Sequence, residues 1–303
     1  GGVRMTLRIL GVPTAAGAYG GGVSRGPKAL REAGLVDSLS AAGLEVHDEG
    51  DTPTEPFAAD PAHPRQQNLE RVVRVAVDVA DRVGSIIAAG DLPLVLGGDC
   101  TITLGVVSGV LRMRPDAALA YIDGDADLST PRSTQSGILD AMGVATMLGA
   151  DGAPEALADI GPRRPLLSGD RLALIGYDHT ALDPTAAAAL EEYGVRCLPS
   201  KELRAKPRRT TEAALRELGA DGGLIVHFDV DVIDSTELPL AQYPHLNEGL
   251  SLSTALVVLA AACSAAHVRA VVLTEVNPDN DATGTYLRCL VEGVSGELGR
   301  LAV

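Results

Sequence analysis

The stretch AALAYIDGDADLST, residues 117–130, joins a short apolar run to three aspartates at alternate positions. The apolar residues are continuous rather than alternating with polar ones, which predicts a β-strand that is buried on both faces. Asp123, Asp125 and Asp127 directly follow this run, and their carboxylates would repel one another at neutral pH. Such crowding after a strand implies that a cation balances the charge.

Similar apolar, β-prone runs recur along the chain, at 7–13, 92–98, 171–178, 194–199, 223–231 and 268–278. Segments with apolar residues at helical spacing lie between several of them, at 66–89, 185–193 and 210–219. This alternation predicts a parallel sheet covered by helices. No linker, charge block or internal repeat divides the chain, so we expect a single domain over residues 1–303, with residues 1–4 as a possible cloning remnant before Met5.

Polar clusters follow four of the predicted strands, at 97–100, 123–127, 227–231 and 275–278. In parallel α/β sheets the ligand site forms at the carboxyl ends of the strands, which would bring these clusters together. Carboxylate oxygens suit Mg²⁺ or Mn²⁺, and a pair of divalent ions would offset the repulsion. The alternative is that the aspartates cap loops. Two D-x-D groups, each after an apolar strand, favour the metal interpretation.

The net charge of the 303-residue chain is −15. Nucleic-acid binding depends on Lys and Arg that neutralise phosphates, so the charge argues against a nucleic-acid partner. A negative field favours a small cationic molecule, although acidity that serves only solubility explains the charge equally well.

The cysteines and the hydropathy pattern indicate a cytoplasmic protein. Cys100, Cys197, Cys263 and Cys289 lie far apart without a C-x-x-C pair, which is typical of free thiols in a reducing compartment. The N-terminus lacks the pattern of a signal peptide. The most apolar segment, at 252–266, is short of a membrane span, so no membrane association is expected.

Five segments together resemble the ureohydrolase family of arginases and agmatinases, in the order and spacing of that family. They are GGVSRGPKALREAGL (21–35), VLGGDCTITLG (95–105), YIDGDADLSTPRSTQSG (121–137), HFDVDVID (227–234) and TEVNP (274–278). The resemblance implies a three-layer α/β/α sandwich around a parallel, roughly eight-stranded sheet, assembled as a homotrimer or homohexamer. It also implies a dinuclear Mn²⁺ site that hydrolyses a guanidinium group to urea and an amine.

The resemblance assigns metal ligands residue by residue. Asp123 and Asp229 match carboxylates that bridge the two ions, Asp127 matches a ligand of the first ion, and Asp231 matches a ligand of the second. Glu275 matches the carboxylate that holds the substrate guanidinium, a catalytic and substrate-binding role.

Other matches concern the remainder of the substrate. Thr134 and Ser136 match positions that bind an α-carboxylate, and Asp183 matches a residue that binds an α-amino group. The segment STPRSTQSG (129–137) resembles the arginase branch, which implies a small cationic guanidino amino acid as the substrate.

Three positions depart from the family pattern, because each replaces an imidazole. Cys100 stands where the first ion has a histidine ligand, Asp125 where the second has one, and Asp140 where arginases have a proton-shuttling histidine. Cys100 is either a thiolate ligand, which would favour Zn²⁺ or Fe²⁺, or a half-buried thiol that contacts nothing. Asp125 is either an oxygen ligand with a part in catalysis or a solvated carboxylate. Asp140 is a candidate general acid if burial raises its pKa.

Relatives that hydrolyse Nω-hydroxy-L-arginine to hydroxyurea and ornithine also resemble this chain, since they carry a cysteine at the first histidine position and an H-x-D-x-D strand like 227–231. We therefore expect a metal-dependent amidinohydrolase with two Mn²⁺ ions; one ion, or another divalent metal, is the alternative. Two other functions stay open: an inactive binding or structural subunit, and a metal hydrolase of formimino or amide bonds.

His245 in YPHLNEGL (243–250) either lines the pocket mouth or lies in a solvated loop, and His227 either orients a carboxylate or belongs to the core.

Overall fold

The structure, a computed structural model, describes residues 5–265 and 267–301. Residues 1–4, considered above as a possible cloning remnant, lie outside these ranges. The described residues contain an eight-stranded, all-parallel sheet with the strand order β2-β1-β3-β8-β7-β4-β5-β6. The strands are β1 Leu7–Val12, β2 Val46–Asp51, β3 Leu92–Gly97, β4 Ala118–Ile122, β5 Leu172–Ile175, β6 Arg196–Leu198, β7 Leu224–Asp229 and β8 Val268–Thr274.

Burial explains which strands could be predicted from the sequence. Every residue of β3, β4 and β7 is buried, in agreement with their continuous apolar runs. The apolar runs do not predict β2, an edge strand that pairs with β1 among the described residues and exposes most of its side chains. Its sequence, VHDEGD, lacks the apolar run of a central strand because only one of its edges is covered.

Helices cover both faces of the sheet. In the described ranges they are α1 Gly26–Glu32, α2 Leu35–Ala41, α3 Leu69–Ala88, α4 Ile102–Met113, α5 Gly143–Met147, α6 Glu155–Ala158, α7 Pro184–Tyr193, α8 Ser200–Leu203, α9 Pro207–Glu217, α10 Leu252–Cys263 and α11 Thr285–Leu298. The three predicted helical segments coincide with α3, α7 and α9. One core cluster includes α1, α2 and α8 to α11, and the other includes α3 to α7, which confirms the three-layer α/β/α sandwich.

The apolar segment at 252–266 contains α10, whose residues pack in one of these core clusters. Within the described ranges, no helix combines the length and the apolar character that a membrane crossing would need.

The strand order places the polar clusters side by side. β3, β8, β7 and β4 are consecutive neighbours at the centre of the sheet, and all run in the same direction. The carboxyl ends of these four strands therefore lie at one edge, where the fold concentrates the polar residues that the sequence analysis selected.

Candidate metal centre

The four central strands deliver side chains to one cavity of about 270 Å³. Cys100 lies just after β3, Glu275 follows β8, Asp229 ends β7 and Asp123 follows β4. Carboxylates dominate the wall; those at or just after the ends of β4, β7 and β8 are Asp123, Asp125, Asp127, Asp229, Asp231 and Glu275. The fold thus gathers every metal-ligand candidate of the sequence analysis in one place.

The first group, here called the thiol cluster, consists of Cys100, Asp123, His227 and Asp229. All four are buried, and each offers a ligand atom within 4.8 Å of the others. The Cys100 Sγ lies 2.7 Å from Asp229 Oδ2, 3.7 Å from His227 Nε2 and 4.0 Å from Asp123 Oδ2. The cysteine is therefore not an isolated thiol, because it contacts potential metal ligands from two strands.

The imidazole of His227 is held neutral with its Nε2 facing the thiol cluster. Burial lowers the pKa of His227 to about 3. Its Nδ1 lies 2.8 Å from the Thr103 hydroxyl, and its ring stacks on Tyr121 with centroids 4.0 Å apart. The Tyr121 hydroxyl in turn donates to Asp127 Oδ2 at 2.6 Å, so this aromatic pair connects the thiol cluster to another carboxylate.

The second group, here called the loop cluster, consists of Asp125, Asp231 and His245. His245 Nε2 lies 3.2 Å from Asp125 Oδ2 and 3.7 Å from Asp231 Oδ2. Burial alone would lower the pKa of His245, but the hydrogen bond to Asp125 and the charge of Asp231 raise it to about 9. An imidazole thus meets the two carboxylates that follow β4 and β7.

Backbone amides lock the two D-x-D segments together. Asp125 N donates to Asp123 Oδ1 at 2.7 Å, and Asp231 N donates to Asp229 Oδ1 at 2.7 Å. Gly124 N donates across to Asp231 Oδ1 at 2.8 Å, which joins the segment after β4 to the segment after β7. The thiol cluster and the loop cluster are therefore two halves of one rigid arrangement.

The carboxylates of this arrangement resist ionisation. Burial, followed by repulsion from neighbouring carboxylates, raises the pKa of Asp123, Asp127 and Asp229 well above the ordinary value. The same causes raise the pKa of Asp231 to about 6. A divalent cation among these oxygens would offset both the desolvation and the repulsion, so the residues fit a metal centre.

Glu275 carries the clearest sign of a missing binding partner. Its side chain is 3% exposed, and Oε1 is buried without a hydrogen-bond partner among the described residues. Its φ of 64° is an unfavourable backbone conformation for glutamate, and the main-chain bond from Glu275 N to Gly98 O, 2.9 Å, holds it in place. A buried, unpaired carboxylate oxygen in a cavity wall is expected to meet a cationic ligand.

Asp140 lies beside the thiol. Its Oδ1 accepts a hydrogen bond of 2.6 Å from Cys100 N, and Cys100, Asp140 and Glu275 can approach a common point. Burial and the charge of Asp99 raise the pKa of Asp140 well above its usual value. This direction meets the condition under which the sequence analysis considered Asp140 a proton donor.

The predicted substrate-binding residues are only partly brought to the cavity. Asp183 lines it, but one of its oxygens caps α7 by accepting from Thr185 N and Ala186 N. Thr134 and Ser136 are not among the residues that line the cavity, and the Thr134 hydroxyl accepts a bond from Gly137 N within its own turn.

The contact between His245 and Asp125 was not predicted from the sequence. Its loop has no regular secondary structure next to the histidine, and a single histidine outside a motif carries little information. The proximity of His227 to the D-x-D pair of β7 was a usable signal, because the H-x-D-x-D spacing places it on the strand that ends at the site.

The fold and the site define a class of protein. It is an α/β protein whose parallel sheet carries carboxylates, a thiol and imidazoles together at its carboxyl edge. Residues 5–291 match the family model described as "Arginase family". An arginase of Glaciozyma antarctica is 32% identical over 248 residues, which cover 77% of this chain and 70% of that arginase. An arginase of Brevibacillus brevis is 29% identical over 299 residues, with 97% of each chain covered. The native arginase structure of Bacillus caldovelox superposes with a TM-score of 0.87 at 26% identity, covering 99% of this chain and 100% of that one. The chain belongs to the arginase family.

Proposed function

We propose that this protein is a metal-dependent amidinohydrolase that cleaves a guanidino C–N bond of a small cationic, arginine-like amino acid. Glu275 is the single observation that carries the proposal. Its unpaired, buried oxygen lies in the wall of the carboxylate-rich cavity. A planar guanidinium presents paired N–H donors that match a carboxylate, so it would satisfy this oxygen and offset its charge. The similarity to arginases supports the same substrate class.

The donor set suits divalent cations. The residues that would hold them are Cys100, Asp123, Asp125, Asp127, Asp229 and Asp231. Because most donors are carboxylate oxygens, we propose two Mn²⁺ ions; the thiol of Cys100 makes Zn²⁺ and Fe²⁺ the competing ions to test. When bound, such ions activate water for attack and neutralise the charge of the site.

The chain's own residues would orient the substrate and supply a proton. Glu275 would hold the guanidinium with its carbon towards the two clusters. Asp140, whose pKa is raised by burial and by the charge of Asp99, would donate its proton to the leaving amine nitrogen. The Asp125 side chain is partly exposed at the rim of the cavity. From this position it would act as a base that accepts a proton from water. Water adds oxygen to the carbon while the C–N bond breaks, giving urea and an amine, or hydroxyurea from an N-hydroxyguanidino substrate.

The outer part of the cavity would bind the α-amino and α-carboxylate groups of the substrate. Asp183 would bind an α-amino group through the oxygen that does not cap α7. No Lys or Arg occurs among the described residues that line the cavity, so an α-carboxylate would meet hydroxyl groups instead. Ser133 is one such residue, and the nearby turn with Thr134 and Ser136 would supply others after a small adjustment. Both arginine and Nω-hydroxyarginine satisfy these requirements.

The test is turnover by the Mn²⁺-loaded protein. The panel consists of arginine, Nω-hydroxyarginine, shorter and longer guanidino acids, the decarboxylated guanidino amine and a formimino amino acid, with urea, hydroxyurea and ammonia detected. The matched control is Glu275→Gln, which keeps the shape and removes the charge. We expect release of urea or hydroxyurea that Glu275→Gln abolishes. A fully metal-loaded protein that turns over only the formimino compound, or none of the panel, would overturn the proposal in favour of the other hydrolase or of a binding subunit.

We also propose that the chain acts as a single domain in a cytoplasmic homotrimer or homohexamer, a proposal that is supported by the family assignment. Light scattering of the purified protein measures the assembly, and a monomer or dimer would contradict it.

A further inference from the structure

We propose that His245 is a ligand of a divalent cation that it binds together with Asp125 and Asp231, so that the loop after β7 completes the second half of the centre. The inference rests on the proposed function only in requiring that cations occupy the carboxylate edge; it does not require turnover. His245 lies in the segment between β7 and α10, outside both D-x-D segments.

The separations within the loop cluster suit a shared ion. Metal–ligand distances of about 2.0–2.2 Å place neighbouring ligand atoms about 3–3.6 Å apart in octahedral or tetrahedral sites. The Nε2 of His245 lies 3.2 Å from an oxygen of Asp125 and 3.7 Å from an oxygen of Asp231. The three ligand atoms all lie within 4.8 Å of one another, as a common ion requires.

Packing holds the imidazole in this place. His245 is 8% exposed, and its carbonyl oxygen accepts a bond of 2.8 Å from Ser235 N, which fixes the loop. The ring lies directly over Gly124: a Cβ at that position would be 2.6 Å from His245 Cδ2 and 2.8 Å from the carbonyl oxygen of Asp231. Only glycine at position 124 leaves room for the ring, so the D-G-D segment and the histidine fit each other.

The cavity wall beside this cluster also carries a carboxylate oxygen without a partner among the described residues. The unpaired, buried oxygen of Glu275 lines the same cavity as Asp125 and Asp231. One nitrogen and two carboxylate oxygens form a donor set for Mn²⁺, Fe²⁺, Co²⁺ or Zn²⁺. Each half of the centre would then hold one imidazole, from His227 in the thiol cluster and from His245 in the loop cluster.

A competing arrangement makes a different prediction about stoichiometry. If His245 stayed protonated and served only as a charge partner for Asp125 and Asp231, it would replace the second cation rather than bind it. The wild-type protein would then hold a single ion. The number of ions per chain therefore separates the two arrangements without any measurement of activity.

The experiment compares four full-length proteins after equilibration with Mn²⁺: wild type, His245→Ala, the exchange variant Asp125→His/His245→Asp, and His63→Ala. His63 is the matched control because its Nδ1 makes the same kind of contact with Asp60, at 2.9 Å, on an exposed surface outside the cavity. Metal per chain is measured by mass spectrometry of the element, and magnetic coupling between Mn²⁺ ions by electron paramagnetic resonance. Circular dichroism confirms that each variant is folded.

We expect two coupled ions in the wild type and in His63→Ala, and one uncoupled ion in His245→Ala, with affinity for the second ion lowered on the order of 100-fold or more. The exchange variant keeps the same donors in swapped places and should regain the second ion. Two ions in His245→Ala, or a single ion in the wild type, would overturn the inference. A wild type with two ions but no turnover would instead contradict the proposed function and leave this inference standing.

Discussion

The two halves of the centre are built from different parts of the fold. The thiol cluster comes from the ends of β3, β4 and β7, and the side chains of His227 and Asp123 are 0% and 2% exposed. The loop cluster takes His245 from an irregular segment, and the Asp125 side chain is 38% exposed. The first half is thus part of the core, whereas the second depends on how a loop closes over the sheet edge. We therefore expect that an ion in the thiol cluster would exchange more slowly than an ion in the loop cluster.

The largest effect is expected from Asp229→Asn, because Asp229 of the thiol cluster also connects to the loop cluster: Oδ2 contacts Cys100 and Oδ1 accepts from Asp231 N. The amide keeps the shape but lacks the negative charge that would hold a divalent cation at this position. Activity should fall by at least about 10³-fold, with loss of bound metal. Metal analysis and turnover measure this. A variant that keeps both ions and most of its activity would contradict the role of Asp229 in holding the two halves together.

A smaller effect is expected from Cys100→Ser. If the thiol becomes a thiolate ligand on metal binding, the Co²⁺-substituted wild type should show a sulfur-to-metal charge-transfer absorption. The serine variant should lose that band and bind metal on the order of 10–100-fold more weakly, with the larger loss in the thiol cluster. Cys289→Ser is the control, because Cys289 is exposed and remote from the cluster. A wild type without the band would show that the cysteine does not ligate.

The metal-free protein should lose stability as the pH rises, because the buried carboxylates are easier to ionise in the unfolded chain. Asp231 has a pKa of about 6 when folded, above the ordinary value of 3.8. A raised folded pKa gives stability that is complete below the unfolded pKa and disappears as the pH rises through the folded pKa. Between pH 5 and 8 this group alone should cost about 1 kcal/mol of the free energy of unfolding.

Urea denaturation in EDTA at the two pH values measures this cost, and Asp231→Asn should reduce it. Added Mn²⁺ should reverse the trend, because the ion replaces the protons. Metal-free protein that becomes more stable from pH 5 to 8 would show that repulsion at this edge is not what the cation relieves.

The smallest effect is expected from Tyr121→Phe, which removes the hydrogen bond to Asp127 but keeps the ring that stacks on His227. Metal affinity should fall about threefold, with no change in the number of ions. Calorimetric titration with Mn²⁺ measures the affinity, and Tyr193→Phe in α7 is the control. A loss of one whole ion would mean that the aromatic pair links the two halves more strongly than its contacts indicate.

The sequence predicted the elements that are buried on both faces and the residues at their ends. Seven of the eight strands coincide with the apolar, β-prone runs, including the partly exposed edge strand β6, and the two D-x-D segments lie where two of those runs end. The edge strand β2 was not predicted because its exposed, polar sequence is typical of a loop. The place of His245 in the site was not predicted because it depends on the path of the loop, which no periodic pattern encodes. Thr134 and Ser136 show the opposite outcome. Their segment resembles the family motif, but their hydroxyl groups accept hydrogen bonds within their own turn and do not line the cavity.

The most direct test of the account is anomalous diffraction at the manganese edge from crystals grown with Mn²⁺. Two peaks per chain are expected in the one cavity, the first against Cys100 and Asp229 and the second among Asp125, Asp231 and His245. Peaks elsewhere on the surface, or carboxylates at this edge that pair only with water or with a cationic side chain in saturating Mn²⁺, would contradict it.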